Sequence, residues 1–322
     1  MQLIEQDKLT SNRTSLTAPM PMWRWHFITA GKHVMYAITG ITGKVGGALA
    51  RTLLAANQPV RAVVRDADKA REWTRRGCEI AFANMSDAST LAAGFEGVTG
   101  VFILPPSEFD PAPGFPEARA VIDAVMTALQ RSHPGKVVCL STIGAQAAPT
   151  NLLTQRTLME QALSTLTIPV TFLRPAWFME NFVWDVASAR DEGLIASFLQ
   201  PLDKPVPMIA TVDVGRFAAE LIQQDWTGRR VVELEAEHRV TPNEVAATFA
   251  KVLGRSVQAQ VVPRATWASL FKSQGMKYPQ PRVRMLDGFN EGWIEFESDG
   301  PDVIKGSTGL ETVLRGLVSQ GA

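Results

Sequence analysis

A glycine-rich turn near residue 40 joins a short apolar run to an amphipathic segment. The stretch Tyr36–Gly46 reads YAITGITGKVG, so a glycine stands at every third position from Gly40 onward. In such a turn the first glycine permits a tight bend, the second lets the backbone approach a diphosphate, and the third allows close helix packing. The N–H groups of the first helical turn, at the positive end of the helix dipole, then bind the anion. We predict a dinucleotide site formed by Gly40, Thr42, Gly43, Lys44, Val45 and Gly46.

The end of the second predicted strand distinguishes two forms of a nicotinamide cofactor. An acidic residue there binds the ribose 2′-hydroxyl of NAD, whereas an arginine accommodates the 2′-phosphate of NADP. Arg65 ends this strand, and Lys69 lies one helical turn further on. Because a guanidinium makes paired, charge-assisted bonds to phosphate, we predict NADP(H) in preference to NAD(H). Asp66 keeps NAD(H) open as an alternative, since its carboxylate could pair with Arg65 or bind the ribose itself.

Two further strand ends carry residues that suit the cofactor. Asn84 and Met85 follow the third strand, where an amide could bond the edge of the adenine ring and a thioether could pack on its face. Leu104 and Pro105 end the fourth strand, and proline there prevents further strand pairing and turns the chain outward. The loop 107–116 that follows is either a lid over the cofactor or an inert connection.

The elements that must position these residues alternate between strand and helix from residue 34 onward. The predicted strands are Val34–Thr39, Pro59–Val64, Glu79–Ala83, Gly100–Leu104, Lys136–Ser141, Pro169–Leu173 and Val231–Glu235. The predicted helices between them are Val45–Ala56, Asp68–Gly77, Thr90–Phe95, Pro116–Ser132 and Thr154–Thr165. This alternation predicts the α/β class, with a Rossmann-type, doubly wound parallel sheet covered by helices on both faces. A glycine turn that binds nothing is the alternative, and the complete βαβ unit around the turn argues against it.

The pattern changes after Phe182, where short extended pieces separate the predicted helices Asp185–Ala196, Val212–Gln224, Thr241–Leu253, Arg264–Gln274 and Leu310–Ser319. Thr241 and Glu244 have the spacing of a capping box at a helix start. We predict that residues 35–182 form an NAD(P)-binding domain and that residues 183–322 form a smaller, mainly helical α/β substrate lobe. The strand at 231–235 is expected to return to the main sheet. Residues 1–34 are expected to be a disordered extension, the alternative being an arm that packs Trp23 and Trp25 on the body.

Composition excludes several classes of partner. The chain has 32 basic and 32 acidic residues, and this zero net charge predicts no general attraction to nucleic acid or to anionic membranes. Cys78 and Cys139 lie far apart, which favours reduced thiols, and the four histidines lack the spacing of metal ligands. No apolar run reaches the length of a membrane span. We therefore expect a cytoplasmic protein without a metal, with a homodimer as an open alternative.

Several segments together resemble the NmrA-like family, the atypical members of the short-chain dehydrogenase/reductase superfamily. They are the glycine turn, Arg65, the segment Ser86–Val98 and the sequence RPAWFMEN at Arg174–Asn181. The resemblance runs from about Met35 to the C-terminus and includes Ala210–Leu221. It implies NADPH-dependent reduction, as in quinone reductases and azoreductase-like members, or NAD(P) binding without turnover, as in the family's regulators.

The pair of residues that protonates a ketone substrate in this superfamily is missing. Its enzymes with full carbonyl chemistry use Tyr-x-x-x-Lys, in which the tyrosine protonates the developing alkoxide. This chain has only Tyr36 and Tyr278, and neither has a lysine four residues later. The resemblance would place the pair near Leu152 and Arg156. Reduction of a quinone remains chemically accessible, because it produces a much less basic, phenolate-like anion that water can protonate.

An acceptor of this kind needs proximity to the cofactor and a dry slot lined by flat rings. Trp177, Phe178 and Phe182 follow the sixth strand and are predicted to line that slot, unless they only join the two lobes. Asn181 could orient a carbonyl oxygen of the acceptor. Ser141 is expected to contact the cofactor and Thr142 to supply a catalytic hydroxyl, with local turn bonding as the alternative for both.

Two functional hypotheses follow. The first is an NADPH-dependent oxidoreductase that transfers hydride to a quinone, an azo compound or a similar planar acceptor. The second is a non-catalytic regulator of the NmrA type, which senses the redox state of NADP(H) and reports it to a protein partner. The missing Tyr/Lys pair is compatible with both.

Overall fold

The structure, a computed structural model, describes residues 34–298 and 303–320. The expectations for residues 1–33 lie outside the described residues. Within the described ranges, no helix has the length and apolar character needed to cross a lipid bilayer.

The described residues form strands and helices in alternation. The strands are β1 (Tyr36–Thr39), β2 (Val60–Val64), β3 (Glu79–Phe82), β4 (Gly100–Ile103), β5 (Val137–Leu140), β6 (Val170–Pro175), β7 (Trp177–Phe178), β8 (Leu194–Ser197), β9 (Met208–Ile209), β10 (Arg229–Ala236), β11 (Gln258–Val261) and β12 (Ile304–Gly306). The helices are α1 (Lys44–Ala55), α2 (Ala67–Arg75), α3 (Ala88–Phe95), α4 (Pro116–Ser132), α5 (Thr154–Leu163), α6 (Val186–Asp191), α7 (Thr211–Gln223), α8 (Pro242–Leu253), α9 (Trp267–Ser273), α10 (Gln280–Glu291) and α11 (Leu310–Gln320).

The central sheet has eight strands in the order β12-β10-β6-β5-β4-β1-β2-β3. Each neighbouring pair in it is parallel, so the carboxyl ends of the strands share one edge. Counted from the β3 edge, the first six strands have the order β3-β2-β1-β4-β5-β6. This is the strand order of the Rossmann fold, and it confirms the predicted fold class. The order reverses between β1 and β4, and in such sheets a ligand binds outside the carboxyl ends at that point.

Both faces of the sheet are buried. Ile38 belongs to the apolar cluster on one face, whereas Ala37 and Val101 belong to the cluster on the other. Side chains alternate between faces along a strand, so a strand covered on both sides reads as a continuous apolar run. This explains why the strands were recognisable in the sequence as unbroken apolar stretches.

The C-terminal half also contributes to this central layer. The expected return of residues 231–235 is confirmed, since they lie within β10, which pairs with β6. Helix α7 lies directly on α1, and a Cβ added at Gly215 would come within 2.5 Å of the Ala48 Cβ. The proposed division into an NAD(P)-binding domain and a substrate lobe at residue 182 stays a prediction.

Several features of the C-terminal half differ from the sequence-based prediction, and one of them is helix α10, which was not predicted. The helix predicted over Asp185–Ala196 is wrong in its last part, because α6 ends at Asp191 and β8 follows, paired with β11. Gly193 causes the break: its φ is +72°, and it approaches Ser256 so closely that an added Cβ would lie 2.8 Å from the Ser256 carbonyl oxygen. Strand β12 was also missed, because three residues are too few to show a periodic pattern.

Candidate functional site

The reversal point between β1 and β4 is held together by a threonine side chain. The Thr39 hydroxyl donates to the Phe102 carbonyl oxygen at 3.2 Å and accepts from the Leu104 N–H at 2.8 Å. These two bonds continue the contact between the strands just where their ladder ends. The sequence analysis did not select Thr39, although a hydroxyl directly before the first glycine of the turn was the available signal.

Neighbouring atoms lie so close to the backbone of this turn that side chains would not fit at Gly40 and Gly46. Gly40 has a φ of +64°, and an added Cβ would lie 2.9 Å from the Leu104 Cβ. The Gly43 N–H donates to the Gly40 carbonyl oxygen at 3.0 Å, which closes the turn. A Cβ at Gly46 would lie 2.4 Å from the same Gly40 oxygen. Gly46 is therefore required by the turn itself, in addition to any role in packing the helix on the sheet.

Helix α1 presents an uncapped N-terminus to the crevice. Gly43 is its N-cap residue, no side chain caps the helix, and no acidic residue stands in its first turn. The first N–H groups of a helix have no acceptor within that helix. Together with the positive end of the helix dipole, they favour a bound anion at this position. Of the predicted diphosphate residues, Lys44, Val45 and Gly46 form this first turn.

The end of β2 carries a cation with no carboxylate partner in the described part of the chain. Arg65 is exposed and makes no ion pair with any described residue. Asp66, which left NAD(H) open, instead caps α2 by accepting the Asp68 N–H at 2.8 Å. A cavity of about 440 Å³ brings Lys69 together with Thr42 and Gly43. Of the two residues predicted for the 2′-phosphate, Lys69 thus lies beside the glycine turn, and Arg65 lies at the end of the neighbouring strand β2.

The residues predicted to contact adenine follow β3. The Asn84 side-chain oxygen accepts from the N–H and the hydroxyl of Ser86, at 3.2 and 3.1 Å, so the carbonyl end of the amide stabilises the turn. Its NH₂ group has no acceptor among the described residues. Met85 is half-buried and packs on the apolar cluster at that face of the sheet.

The segment after β4, residues 105–110, is tied down at several points, and we call it the strap. Arg156 donates from Nη2 to the Pro105 carbonyl oxygen at 2.9 Å. Gln155 exchanges two bonds with the Glu108 backbone, at 3.2 and 2.8 Å. Asp110 accepts the N–H groups of residues 277 and 278, both at 2.7 Å. The strap therefore links α5 to the segment before α10, and Arg156, which occupies the approximate position of the missing lysine, anchors its first residue.

Ser141, at the end of β5, is bound to a buried ion pair. Its hydroxyl donates to Glu160 Oε1, and Arg174 donates to the same carboxylate from Nε at 2.9 Å and from Nη2 at 2.7 Å. Arg174 also contacts Glu297 at 2.7 Å. The Ser141 hydroxyl hydrogen is therefore engaged by a carboxylate, and the contact of Ser141 with the cofactor stays a prediction. The neighbouring Thr142 is half-buried, and its hydroxyl has no partner within the described residues, so the alternative of local turn bonding is not observed for it.

The predicted aromatic residues lie at the carboxyl end of β6. Trp177 makes an edge-to-face contact with Phe289 of α10, with ring centroids 5.1 Å apart. Phe178 and Phe182 are partly buried against the apolar cluster that contains Ile38. Asn181 is exposed on the short 3₁₀ helix that follows. Trp177 thus contacts a C-terminal helix, and both its place in an acceptor slot and the alternative of only joining the two lobes stay predictions.

The 3₁₀ helix Met179–Asp185 carries two carboxylates with different surroundings. Glu180 accepts the Thr211 N–H at 2.9 Å and so binds the start of α7, a contact that the sequence did not indicate. Burial raises the pKa of Asp185 to about 6. No cation pairs with Asp185 among the described residues, so its charged form is disfavoured.

Comparison with known proteins finds similar families and proteins. The family model described as the NmrA-like family matches residues 33–299. Quinone oxidoreductase 2 of Escherichia coli (strain K12) is 27% identical over 245 residues, covering 75% of this chain and 82% of that protein. The NAD(P)H azoreductase of Xenophilus azovorans is 28% identical over 226 residues, covering 70% of this chain and 76% of that protein.

Two solved structures share the fold. The triphenylmethane reductase of Citrobacter sp., complexed with NADP(H), superimposes with a TM-score of 0.72 at 21% identity, covering 89% of this chain and 100% of that one. The quinone oxidoreductase QOR2 of Escherichia coli, complexed with NADPH, gives a TM-score of 0.72 at 22% identity with the same coverage. At these identities the likeness shows the fold alone.

Proposed function

The chain belongs to the NmrA-like family, and on that premise we propose that it is an NADPH-dependent reductase of quinones or similar planar acceptors. The observation that carries the proposal is the uncapped N-terminus of α1 behind an intact glycine turn. The names of the relatives support the reaction class, since one is a quinone oxidoreductase and another an NAD(P)H azoreductase.

The cofactor would lie along the carboxyl edge of the sheet, across β1 and β4. The first turn of α1 would hold the diphosphate through its N–H groups. Arg65 and Lys69 would bind the 2′-phosphate, because neither cation is neutralised by a described carboxylate. Asn84 could donate its NH₂ group to the adenine edge while Met85 contacts the ring. The rest of the cofactor would be lined by Leu104, Pro105 and Ser141.

The cofactor supplies a hydride when it is bound, and the chain supplies position and a water-poor surface. Trp177, Phe178 and Phe182 would stack against a planar acceptor, and Thr142 and Asn181 could bond its oxygens. Neither of the two tyrosines, Tyr36 and Tyr278, occupies the sequence position of the residue that protonates an alkoxide in the missing pair. A quinone suits this arrangement because its reduced anion is only weakly basic and can take its proton from water.

The direct test is consumption of NADPH by the purified protein. Absorbance of NADPH should fall when benzoquinone is added and should stay constant with a simple aliphatic ketone. Gly43→Asp should abolish turnover, because it places a carboxylate beside the diphosphate. Gly309→Asp is the matched control, since nothing lies within 4 Å of an added Cβ there. Equal activity of the two variants would contradict the assignment of the glycine turn.

A broad acceptor panel separates the enzyme from the regulator of the second hypothesis. The proposal requires turnover with at least one class of quinone or azo compound. If no acceptor is reduced and NADPH binds much more tightly than NADP⁺, the regulator is the better account. Equal affinity for both cofactor forms would count against the regulator, because such a ligand shifts no equilibrium.

A further inference from the structure

Arg156 is a partly buried cation that no described carboxylate neutralises. Its guanidinium donates to the Pro105 carbonyl oxygen at 2.9 Å, to the Ser107 hydroxyl at 2.7 Å and to the Pro106 carbonyl oxygen at 3.3 Å. All three acceptors are neutral groups. Removal from water lowers the pKa of this guanidinium, and the Cys139 thiol on β5 opposes that effect.

Two carboxylates on the elements that Arg156 joins, one on α5 and one in the strap, make other bonds. Glu160, one helical turn further along α5, binds Arg174 through two bonds of 2.9 and 2.7 Å. Glu108, in the strap, accepts the Asp110 N–H at 3.0 Å. A cation withdrawn from water without a counter-charge is costly, and buried charges are normally paired. Arg156 therefore holds the strap as a partly buried cation without a counter-charge among the described residues.

This position lies at the crevice. The strap begins directly after Leu104, whose N–H is bound to Thr39 beside the glycine turn. Arg156 thus lies just beyond the carboxyl end of β4, beside the strap that leaves that strand. The proposed function places the acceptor at the same carboxyl edge of the sheet.

We propose that Arg156 stabilises the oxyanion that forms on the acceptor as hydride arrives. The inference rests on the proposed function. A quinone accepts one hydride from NADPH, which is thereby oxidised to NADP⁺, and the two electrons of the hydride reduce the quinone to a hydroquinone monoanion. The negative charge resides on an oxygen, and a proton from water then completes the hydroquinone. Like the missing tyrosine, Arg156 would stabilise negative charge on the acceptor oxygen. Unlike the tyrosine, it transfers no proton, because arginine keeps its protons in proteins.

The first experiment uses wild-type protein and needs no turnover. The probe is 4-nitrophenol, whose phenolate resembles the reduced acceptor and absorbs visible light. Binding to the NADP⁺-loaded protein should lower the apparent pKa of the phenol by about one unit, which corresponds to a tenfold preference for the anion. The neutral compound 4-nitroanisole should bind at least about tenfold more weakly than the phenolate. An unchanged pKa, or equal binding of the two compounds, would overturn the proposal.

Variants then separate the charge of Arg156 from its hold on the strap. Arg156→Met should abolish the pKa shift of the bound phenol and lower kcat for quinones about tenfold, while Arg156→Lys should restore part of both. Asp110→Ala loosens the strap at its other end without removing a cation, and it should leave the phenol shift intact. Loss of the shift in Asp110→Ala to the same extent as in Arg156→Met would show that the strap, and not the charge, is responsible.

A matched control removes a similar guanidinium at the opposite edge of the sheet. Arg230, at the amino end of β10, donates to the Thr171 hydroxyl at 2.8 Å, and burial also lowers its pKa. Arg230→Met should leave the phenol titration and kcat unchanged. The NADPH oxidation assay tests the proposed function separately: an inactive wild-type protein that still binds the phenolate through Arg156 would reject the reductase while retaining the anion site.

Discussion

Substitution of Gly46 by alanine tests whether the glycine turn is a preformed anion site. An added Cβ at this position would lie 2.4 Å from the Gly40 carbonyl oxygen, 2.7 Å from the Gly40 carbonyl carbon and 2.9 Å from the Ile41 Cα. All three atoms belong to the backbone, so no side-chain rotation can relieve the overlap. The turn must therefore move away from α1, which displaces the N–H groups predicted to bind the diphosphate.

The size of the effect follows from the overlap. Carbon and oxygen atoms that do not bond to each other normally stay beyond about 3 Å, so the turn must shift by roughly half an ångström or more. Overpacking of this kind costs about 1–3 kcal/mol of folding free energy. Displacement of donors from a bound phosphate removes at least one charge-assisted bond, and we expect the Kd for NADPH to rise about tenfold or more.

The assay combines urea unfolding with a fluorescence titration of NADPH. Gly316→Ala on α11 is the control, because nothing lies within 4 Å of an added Cβ there. That variant should be stabilised by about 0.5–1 kcal/mol, as alanine is favoured over glycine inside a helix, and its NADPH affinity should not change. A Gly46→Ala variant that binds NADPH as tightly as the wild-type protein would refute the assigned role of the turn.

Three further substitutions test the cofactor preference, the buried ion pairs and the isolated carboxylate. Arg65→Ser should raise the Kd for NADPH by about tenfold or more and leave the Kd for NADH unchanged, as measured by fluorescence, because it removes the cation assigned to the 2′-phosphate; equal losses for both cofactors would contradict the assignment. Arg174→Met should lower the free energy of unfolding in urea by about 3–5 kcal/mol, since it leaves the carboxylates of Glu160 and Glu233 buried without a cation, and an unchanged midpoint would argue against this ion-pair network. Burial raises the pKa of Asp185 from 3.8 to about 6, so its stabilising neutral form is fully present below pH 3.8 and is lost as the pH rises through about 6. Asp185→Asn should therefore stabilise the protein by up to about 3 kcal/mol near neutral pH and have little effect near pH 3, and a gain independent of pH would exclude titration of this carboxyl as the cause.

Local signals in the sequence were sufficient for the central strands of the sheet and for the glycine turn. Strands β1, β4 and β5 are buried on both faces, so they appear as nearly continuous apolar runs that need no knowledge of partners. Thr241 and Glu244 form the capping box that their spacing indicated, with bonds of 3.1 and 2.7 Å. Features of this kind depend on residues a few positions apart, and the sequence shows such residues directly.

Features that depend on distant residues could not be predicted in the same way. The sequence predicts Ser141 as a cofactor contact, and it does not indicate the bond of its hydroxyl to Glu160 on the following helix. It offers Asp66 as a possible ligand of the ribose, and it does not indicate that this side chain caps α2. It leaves the loop 107–116 as either a lid or a connection, and it does not indicate the bonds of this loop to Arg156 and to residues 277–278. Charged and polar groups have many potential partners in a sequence, and only tertiary packing selects among them.

The central claim is that a nicotinamide dinucleotide rests its diphosphate on the first turn of α1. A crystal of the protein soaked with NADPH tests it most directly. The account predicts the diphosphate at the N–H groups of Lys44–Gly46 and the 2′-phosphate at Arg65. A crevice that stays empty at saturating NADPH, or a cofactor bound away from the glycine turn, would contradict it.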